Sequence, residues 1–275
     1  GEDSTAILKG FTIQNGGSVD FGGGIYCQSA SPTLENLVIT NNNAGYGGGI
    51  ATKYYDATPT LNNVVIKGNS VSWQGGGCYF WGNSTPGLQP SLSNVIVADN
   101  SSSWQGGGIL THLSSPELLN VTIVNNTAPE GGGITCSSGS HPSIVNSIIW
   151  GNSPNELEFA ANNDSSSISI SYSLIEGGQD SIVTNDNGTV NWGSGNIDVD
   201  PMFVDTANGD YHLLASSKCI NGGYPDSLDS DGTVADMGTY PYLNSYSGPT
   251  WYITEDGNDT TGTGASDSPF ASIQS

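Results

Sequence analysis

Four aspartates that could bind a cation lie within one short stretch that contains glycine, "PDSLDSDGTVAD". They are Asp226, Asp229, Asp231 and Asp236. Closely spaced carboxylate oxygens, together with a glycine that permits a sharp turn, suit the coordination of Ca²⁺. The spacing is not that of an EF-hand loop, because the terminal glutamate of that motif is missing. The stretch therefore predicts either a structural calcium site or a polar surface loop.

Three aromatic residues stand at matching places shortly before a run of three glycines. Tyr46 precedes one such triplet, and Trp73 and Trp104 occur in the two copies of "SWQGGG". If matching positions stack, the three rings form a ladder with steps of about 5 Å. An outward ladder would offer carbohydrate rings a flat platform, whereas an inward ladder would fill the core. The sequence leaves both interpretations open.

Residues suited to acid–base catalysis are sparse. The chain has four lysines and no arginine, and Lys53 and Lys67 lie at different places without acidic neighbours at a fixed spacing. A glycosidase needs two carboxyl groups about 5 to 10 Å apart, and no pair, including Asp99 and Glu130, stands out in the sequence. We therefore nominate no catalytic residue and interpret these carboxylates as solvated turn residues.

The candidate residues belong to a segment that repeats along the chain. One copy reads "PTLNNVVIKGNSVSWQGGGC" from Pro59, and others begin at Pro32, Pro90, Pro116 and Pro142. The intervals between equivalent positions are 26, 27, 31, 26, 26 and 26 residues along the series Gly10, Asn36, Asn63, Asn94, Asn120, Asn146 and Tyr172. A period sustained over this length indicates a solenoid.

The residue types of the repeat identify the kind of solenoid. Short β-branched runs with Pro, Asn and Gly favour strands and turns over helix. Three short strands in about 26 residues predict an all-β, single-stranded parallel β-helix of about seven coils, followed by a region without the repeat. The glycine triplets predict corners with positive φ or with no space for a Cβ. A second recurrent asparagine predicts a stacked structural ladder of Asn42, Asn69, Asn100, Asn126 and Asn152.

Charge and cysteine content limit the partners and the crosslinks. The formal net charge is −22, which effectively excludes nucleic acid as a partner and repels anionic membranes and acidic polysaccharides unless a cation bridges the two. Cys27 and Cys136 belong to coils four steps apart, about 19 Å at strand spacing, too far for a disulfide. We expect buried thiols. No apolar stretch is long enough to cross a membrane.

The run N-x-x-x-x-x-N followed by GGGI carries a family resemblance. Over residues 1–180 the coils resemble right-handed parallel β-helix proteins of the pectate-lyase-like superfamily, and the repeats are similar to those of chlamydial polymorphic outer-membrane proteins and adhesin-like passengers. Residues 181–248, with "NIDVDPMFVDTANGDYHLLASSKCINGG", resemble the closing region of secreted bacterial β-helix domains. Residues 249–275, with "TWYITEDGNDTTGTGASDSPFASIQS", resemble the start of a following domain or a segment that joins subunits.

The resemblance and the residues together predict a function. We expect an extracellular or cell-surface scaffold of structural or adhesive type, one unit of a tandem or head-to-tail fibre whose partners are copies of itself or adjacent β-helix domains. The alternative is a β-helix that binds or cleaves carbohydrate. Calcium is the one cofactor expected, in a structural role.

Overall fold

The computed structural model describes residues 3–54, 57–82, 88–161, 164–243, 253–258, 267–269 and 271. Over these residues the chain forms parallel strands stacked as a β-solenoid, so the predicted all-β solenoid fold is confirmed. Residues 1–242 form one unit and residues 243–275 a second, of which only a few residues are described. The predicted joining segment, residues 249–275, therefore lies mostly outside the described residues.

The strands are short, and most have three to eight residues. In chain order they are β1 (Ile7–Lys9), β2 (Thr12–Gln14), β3 (Val19–Phe21), β4 (Ile25–Gln28), β5 (Thr33–Thr40), β6 (Asn43–Tyr46), β7 (Ile50–Lys53), β8 (Thr60–Lys67), β9 (Ser70–Gln74), β10 (Cys78–Trp81), β11 (Ser91–Ala98), β12 (Ser101–Ser102), β13 (Ile109–His112), β14 (Glu117–Leu119), β15 (Thr122–Val124), β16 (Ile134–Ser137), β17 (Ser143–Val145), β18 (Ile148–Trp150), β19 (Leu157–Phe159), β20 (Ser166–Ser171), β21 (Leu174–Ile175), β22 (Gly188–Trp192), β23 (Phe203–Asp205) and β24 (Asp210–Leu213). Two 3₁₀ turns span Gln179–Ser181 and Thr206–Asn208.

Three parallel sheets, named A, B and C, run along the solenoid, and sheet B takes its strands from the first four described coils. Sheet A runs in the order β1-β5-β8-β11-β14-β17-β20-β22, with β2, β15, β18 and β21 beside it. Sheet B has the order β12-β9-β6-β3, and sheet C the order β19-β16-β13-β10-β7-β4. Strands β23 and β24 form a separate antiparallel pair.

The core consists of stacked apolar side chains in strict register. One inward row of sheet A runs from coil to coil and is almost fully buried: Leu34, Leu61, Leu92, Leu118, Ile144 and Ile170. Full burial of each such side chain contributes about 1.5 to 3 kcal/mol. Because each of these six coils presents a buried leucine or isoleucine at the same position, the coil-to-coil register is specified along this row.

The glycine triplets form the corner between sheets B and C. The first glycine of each triplet has positive φ: Gly22, Gly47, Gly75, Gly106 and Gly131. The following glycines pack against the backbone of the next coil, and a Cβ added to Gly107 would lie 2.5 Å from Thr127 O and 2.6 Å from Gly132 O. The first glycine of the triplet is thus required for its positive φ, and the following glycines are required because a Cβ would collide with the next coil.

A row of buried asparagines lies at the corner between sheets A and B. Asn100 Oδ1 accepts from the backbone N and the side-chain Nδ2 of Asn69, both at 2.9 Å, and Asn100 Nδ2 donates to Asn126 Oδ1 at 2.9 Å. The same pair of bonds recurs down the row Asn42, Asn69, Asn100, Asn126 and Asn152. The first asparagine of each repeat lies elsewhere, at a bend within sheet A, with positive φ: Asn36, Asn63, Asn94, Asn120 and Asn146.

A carboxyl group stands at the C-terminal end of this asparagine ladder. Glu156 Oε1 accepts from Asn152 N at 2.9 Å, and Glu156 Oε2 accepts from Asn152 Nδ2 at 2.5 Å. Burial raises the pKa of the Glu156 carboxyl to about 8; the bonds from Asn152 oppose this shift, and Glu176 adds to it. The ladder therefore ends on a buried acid beside a second carboxyl group.

The C-terminal part of the first unit folds back over the outer face of sheet A. Strand β22 still pairs in parallel with β20, and Ile197 bridges Leu174, so the predicted boundary at residue 180 falls inside the last coil. Beyond it, Thr239 Oγ1 donates to Val95 O at 2.8 Å, and Tyr224 N donates to Asn146 Oδ1 at 2.7 Å. Buried side chains of this region pack on outward residues of sheet A: Tyr211, Leu213, Cys219 and Met237.

The four cysteines, Cys27, Cys78, Cys136 and Cys219, are all buried thiols. Burial raises the pKa of Cys136 and of Cys219 to about 12, so these sulfurs are protonated and unreactive at neutral pH. Within the described parts of the chain, no helix combines the length and the apolar character that crossing a bilayer requires.

Candidate functional site

The aromatic side chains singled out in the sequence lie on the outside of the solenoid. Trp73 is 52% exposed and Trp104 44% exposed. The ring centroids of Tyr46 and Trp73 are 6.5 Å apart with nearly parallel planes, and those of Trp73 and Trp104 are 6.4 Å apart with an edge-on arrangement of 69°. The row is thus an outward one, with its third ring turned away from the plane of the first two.

The register of sheet B differs by one residue from the alignment on which the ladder was predicted. Tyr46 pairs with Gln74, not with Trp73, because β9 carries one more residue than β6 and a bulge takes it up. Gln74 then bridges Gln105, which bridges Glu130. The residue at this position of sheet B therefore changes from coil to coil: it is Tyr46, then the amides Gln74 and Gln105, and then the carboxylate Glu130.

Sheet C supplies the second wall of the site. In β10, Cys78 and Phe80 point into the core, while Tyr79 and Trp81 point outward over the corner towards sheet B. Tyr46 and Tyr79 have centroids 5.1 Å apart. Burial raises the pKa of the Tyr79 hydroxyl, with a smaller contribution from Tyr46, so the hydroxyl stays protonated.

One cation lies among these rings. Lys53 Nζ is 4.2 Å from the centroid of Phe21 and 5.1 Å from that of Trp81. Phe21 in turn stacks on Tyr46 at 5.0 Å. A lysine over aromatic faces is held by the negative potential of the rings, so Lys53 packs on Phe21 and Trp81 beside the groove.

Together these elements enclose a cavity of about 410 Å³, here named the aromatic groove. It is lined by Phe21, Tyr46, Gln74, Tyr79, Trp81, Trp104, Gln105, His112, Ser137, Ala160 and Ala161. Burial lowers the pKa of the His112 imidazole, against a smaller opposing effect of Asp164, which favours the neutral ring. The lining thus combines apolar ring faces with uncharged donors and acceptors, the composition of sites that orient small polar ligands.

Four ring side chains of the groove, Phe21, Tyr79, Trp81 and His112, were not singled out in the sequence, and Lys53 beside them was considered only as a possible base. A signal for two of them was present. Alternation of side-chain direction along a strand places Tyr79 and Trp81 on the face opposite the buried Phe80. The contribution of the other three depends on how the sheets meet at the corner.

The predicted calcium ligands lie in a loop that binds much of its own backbone. Asp236 Oδ1 accepts from Asn221 N at 2.7 Å, and Asp229 Oδ2 accepts from Asp236 N at 3.0 Å. Asp231 Oδ1 accepts from Thr233 N at 3.0 Å. Burial raises the pKa of Asp236 and, together with the charge of Asp236, that of Asp229.

This loop closes a second cavity, of about 470 Å³, against the bend of sheet A that carries Asn63, Asn94 and Asn120. The structure does not bring three or more His, Cys, Asp or Glu side chains together for a metal ion anywhere in its described part. Asp226 also lies close enough to Tyr224 to raise the pKa of that hydroxyl. Structural calcium at this loop stays a prediction.

Comparison with known proteins identifies one similar family. The model of the family described as "Protein of unknown function (DUF1565)" matches residues 2–120, less than half of the chain. No curated protein matches. No solved structure matches either. The matched residues include the first four coils and most of the aromatic groove, and the resemblance to pectate-lyase-like and polymorphic outer-membrane proteins stays a prediction.

Proposed function

We propose that this protein is an adhesive β-solenoid scaffold, extracellular or on the cell surface, that binds neutral carbohydrate in the aromatic groove. The observation that carries the proposal is the groove itself, a cavity of about 410 Å³ between two sheets with aromatic, amide, hydroxyl and imidazole walls. Flat apolar rings match the faces of sugar rings, and the polar side chains match their hydroxyl groups.

The charge distribution favours a neutral ligand. The net charge of −22 repels polyanions, and Lys53, the cation nearest the groove, already lies against the rings of Phe21 and Trp81. Gln74, Gln105 and Ser137 offer hydrogen bonds without charge. Hydroxyl-rich, uncharged oligosaccharides are therefore the class of ligand that the groove fits best.

Titration calorimetry with cellohexaose, mannohexaose and chitohexaose tests the proposal. We expect at least one of them to bind, and we expect Trp81→Ala and Trp104→Ala each to weaken that binding about tenfold, because each removes a ring face. Phe11→Ala is the matched control, since Phe11 is also an exposed aromatic residue, 57% accessible, but does not line the groove. Wild-type protein that binds none of the three, or tryptophan variants that bind like the control, would contradict the proposal.

A further inference from the structure

An oriented chain of three polar side chains runs along one wall of the aromatic groove. Gln74 Nε2 donates to Gln105 Oε1 at 2.7 Å, and Gln105 Nε2 donates to Glu130 Oε2 at 2.7 Å. The backbones of the three residues are bridged in register, coil to coil, along the edge of sheet B. Each side chain therefore stands directly over the next, at the spacing that a continuous chain of hydrogen bonds needs.

The carboxylate at one end fixes the direction of this chain. An ionised carboxylate has no hydrogen to donate, so Gln105 must present its Nε2 to Glu130. The oxygen of the same amide, Oε1, then faces Gln74, which must donate to it from its own Nε2. Both bonds are short, and a bond to a charged acceptor is stronger than a neutral one and polarises the next bond in the chain.

The direction of the hydrogen bonds decides which atom Gln74, the last residue of the chain, presents to a ligand. Gln74 directs one Nε2 hydrogen to Gln105, so Oε1 lies on the other side of its amide and is the acceptor that Gln74 offers a ligand, beside Tyr46 and Trp104 on the groove wall; the second Nε2 hydrogen stays a donor. Without Glu130 the two amides could reverse together at little cost, because an amide presents a donor on one side and an acceptor on the other. The groove would then offer a donor where it now offers an acceptor.

We infer that Glu130 is a positioning residue that sets the specificity of the groove, making Gln74 Oε1 an acceptor for a hydroxyl or N–H group of the ligand. The inference rests on the proposed carbohydrate function for the identity of the ligand but not for the orientation of the amides. Glu130 itself does not line the groove, so its effect on binding passes through Gln105 and Gln74.

The orientation is tested without any ligand, by the side-chain amide resonances of Gln105 and Gln74 in ¹⁵N-labelled protein. Glu130→Gln keeps the shape of the side chain and removes the charge that orders the chain. We expect it to shift the resonances of both glutamines, although Gln74 makes no direct bond to position 130. Glu117→Gln, an exposed glutamate on sheet A with the same change of charge, is the matched control, and it should leave both glutamines unchanged.

The inference is overturned if Glu130→Gln shifts the resonance of Gln105 alone, or if Glu130→Gln and Glu117→Gln shift the resonances equally. In either case Glu130 does not set the orientation of the Gln74 amide. Unfolding by urea accompanies the spectra, so that a Glu130→Gln protein that has lost its fold is recognised. Glu130→Asp, which keeps the acceptor-only group, should restore the Gln74 resonance towards its wild-type position, whereas a merely structural role predicts no such rescue.

The binding arm is calorimetry with whichever of cellohexaose, mannohexaose and chitohexaose the wild-type protein binds. We expect Glu130→Gln to weaken that binding about fivefold to tenfold, the size expected for one hydrogen bond, and Glu117→Gln to leave it unchanged. Binding that is equal in Glu130→Gln and wild type overturns the assigned role in specificity. If wild-type protein binds none of the three sugars, the carbohydrate proposal fails, and the resonance experiment still decides the orientation of the amides.

Discussion

Replacing Gly107 by alanine is expected to lower the free energy of unfolding by about 3 kcal/mol, the upper end of the usual cost of overpacking. A Cβ at this position would lie 2.5 Å from Thr127 O and 2.6 Å from Gly132 O. Both atoms belong to the backbone of the next coil, which cannot rotate away as a flexible side chain could. The coils would have to separate at this corner, weakening the hydrogen bond from Gly107 N to Gly131 O.

Gly17→Ala is the matched control for this change. Gly17 also belongs to the coils, but its added Cβ would meet Asn43 O at 3.7 Å and Asn43 Cβ at 3.8 Å, ordinary contact distances. Its effect should stay within about 1 kcal/mol of zero. Urea unfolding followed by far-ultraviolet circular dichroism measures both. Equal losses at Gly17 and Gly107 would show that the triplet is retained for its chain flexibility and not for close packing.

The coil architecture could be predicted from the sequence because identical residues recur at identical places. A single coil carries a weak strand signal, but the asparagines repeat at intervals of 26 to 31 residues and the glycine triplets at intervals of 25 to 31, and only stacked coils give each copy the same environment. The recurrence also distinguishes the two asparagines of each repeat. Asn63 lies at a bend with a φ of 53°, and Asn69 lies in the buried ladder.

The groove could be predicted only in part, because its two walls come from different sheets. Repeat spacing relates positions along one sheet, as it does for Tyr46 and Trp73 on sheet B. It contains no information on the angle at which sheet C approaches, and that angle brings Tyr79 next to Tyr46 and Trp81 next to Phe21. The one-residue bulge between β6 and β9 also shifts the pairing, so that Tyr46 pairs with Gln74 and not with Trp73, as the repeat spacing predicts.

The position of the C-terminal region could likewise be predicted only in part. Residues 198–242 contain no repeat, so their place depends on packing alone. The partner surface did leave a signal, because the run Val95, Ile96 and Val97 is apolar at three consecutive positions, and such a strand needs cover on both faces. Val95 and Val97 belong to the core of the solenoid, while Ile96 packs with Tyr211 on the outer face.

Removing one rung of the asparagine ladder is the second large effect that we expect. Asn100→Ala deletes four hydrogen bonds of a fully buried side chain, two accepted from Asn69 and one each donated to Ile66 O and Asn126 Oδ1. The partners stay in the interior without replacements, since the alanine side chain has no polar atom. Buried groups left unpaired cost about 1 to 3 kcal/mol each and do not add fully, so the expected loss of unfolding free energy is about 3 to 5 kcal/mol.

Hydrogen exchange localises this loss, which matters because a solenoid can open by neighbouring coils without unfolding as a whole. The backbone N–H of Asn69, bonded to Asn100 Oδ1 in the wild type, should exchange much faster in Asn100→Ala. Asn43→Ala is the control. Its side chain is exposed and bonds Ser70 Oγ at 3.0 Å, so its removal should cost no more than about 0.5 kcal/mol. Equal stability of the two variants would mean that water enters the corner and replaces the ladder, and that the apolar rows alone hold adjacent coils in register.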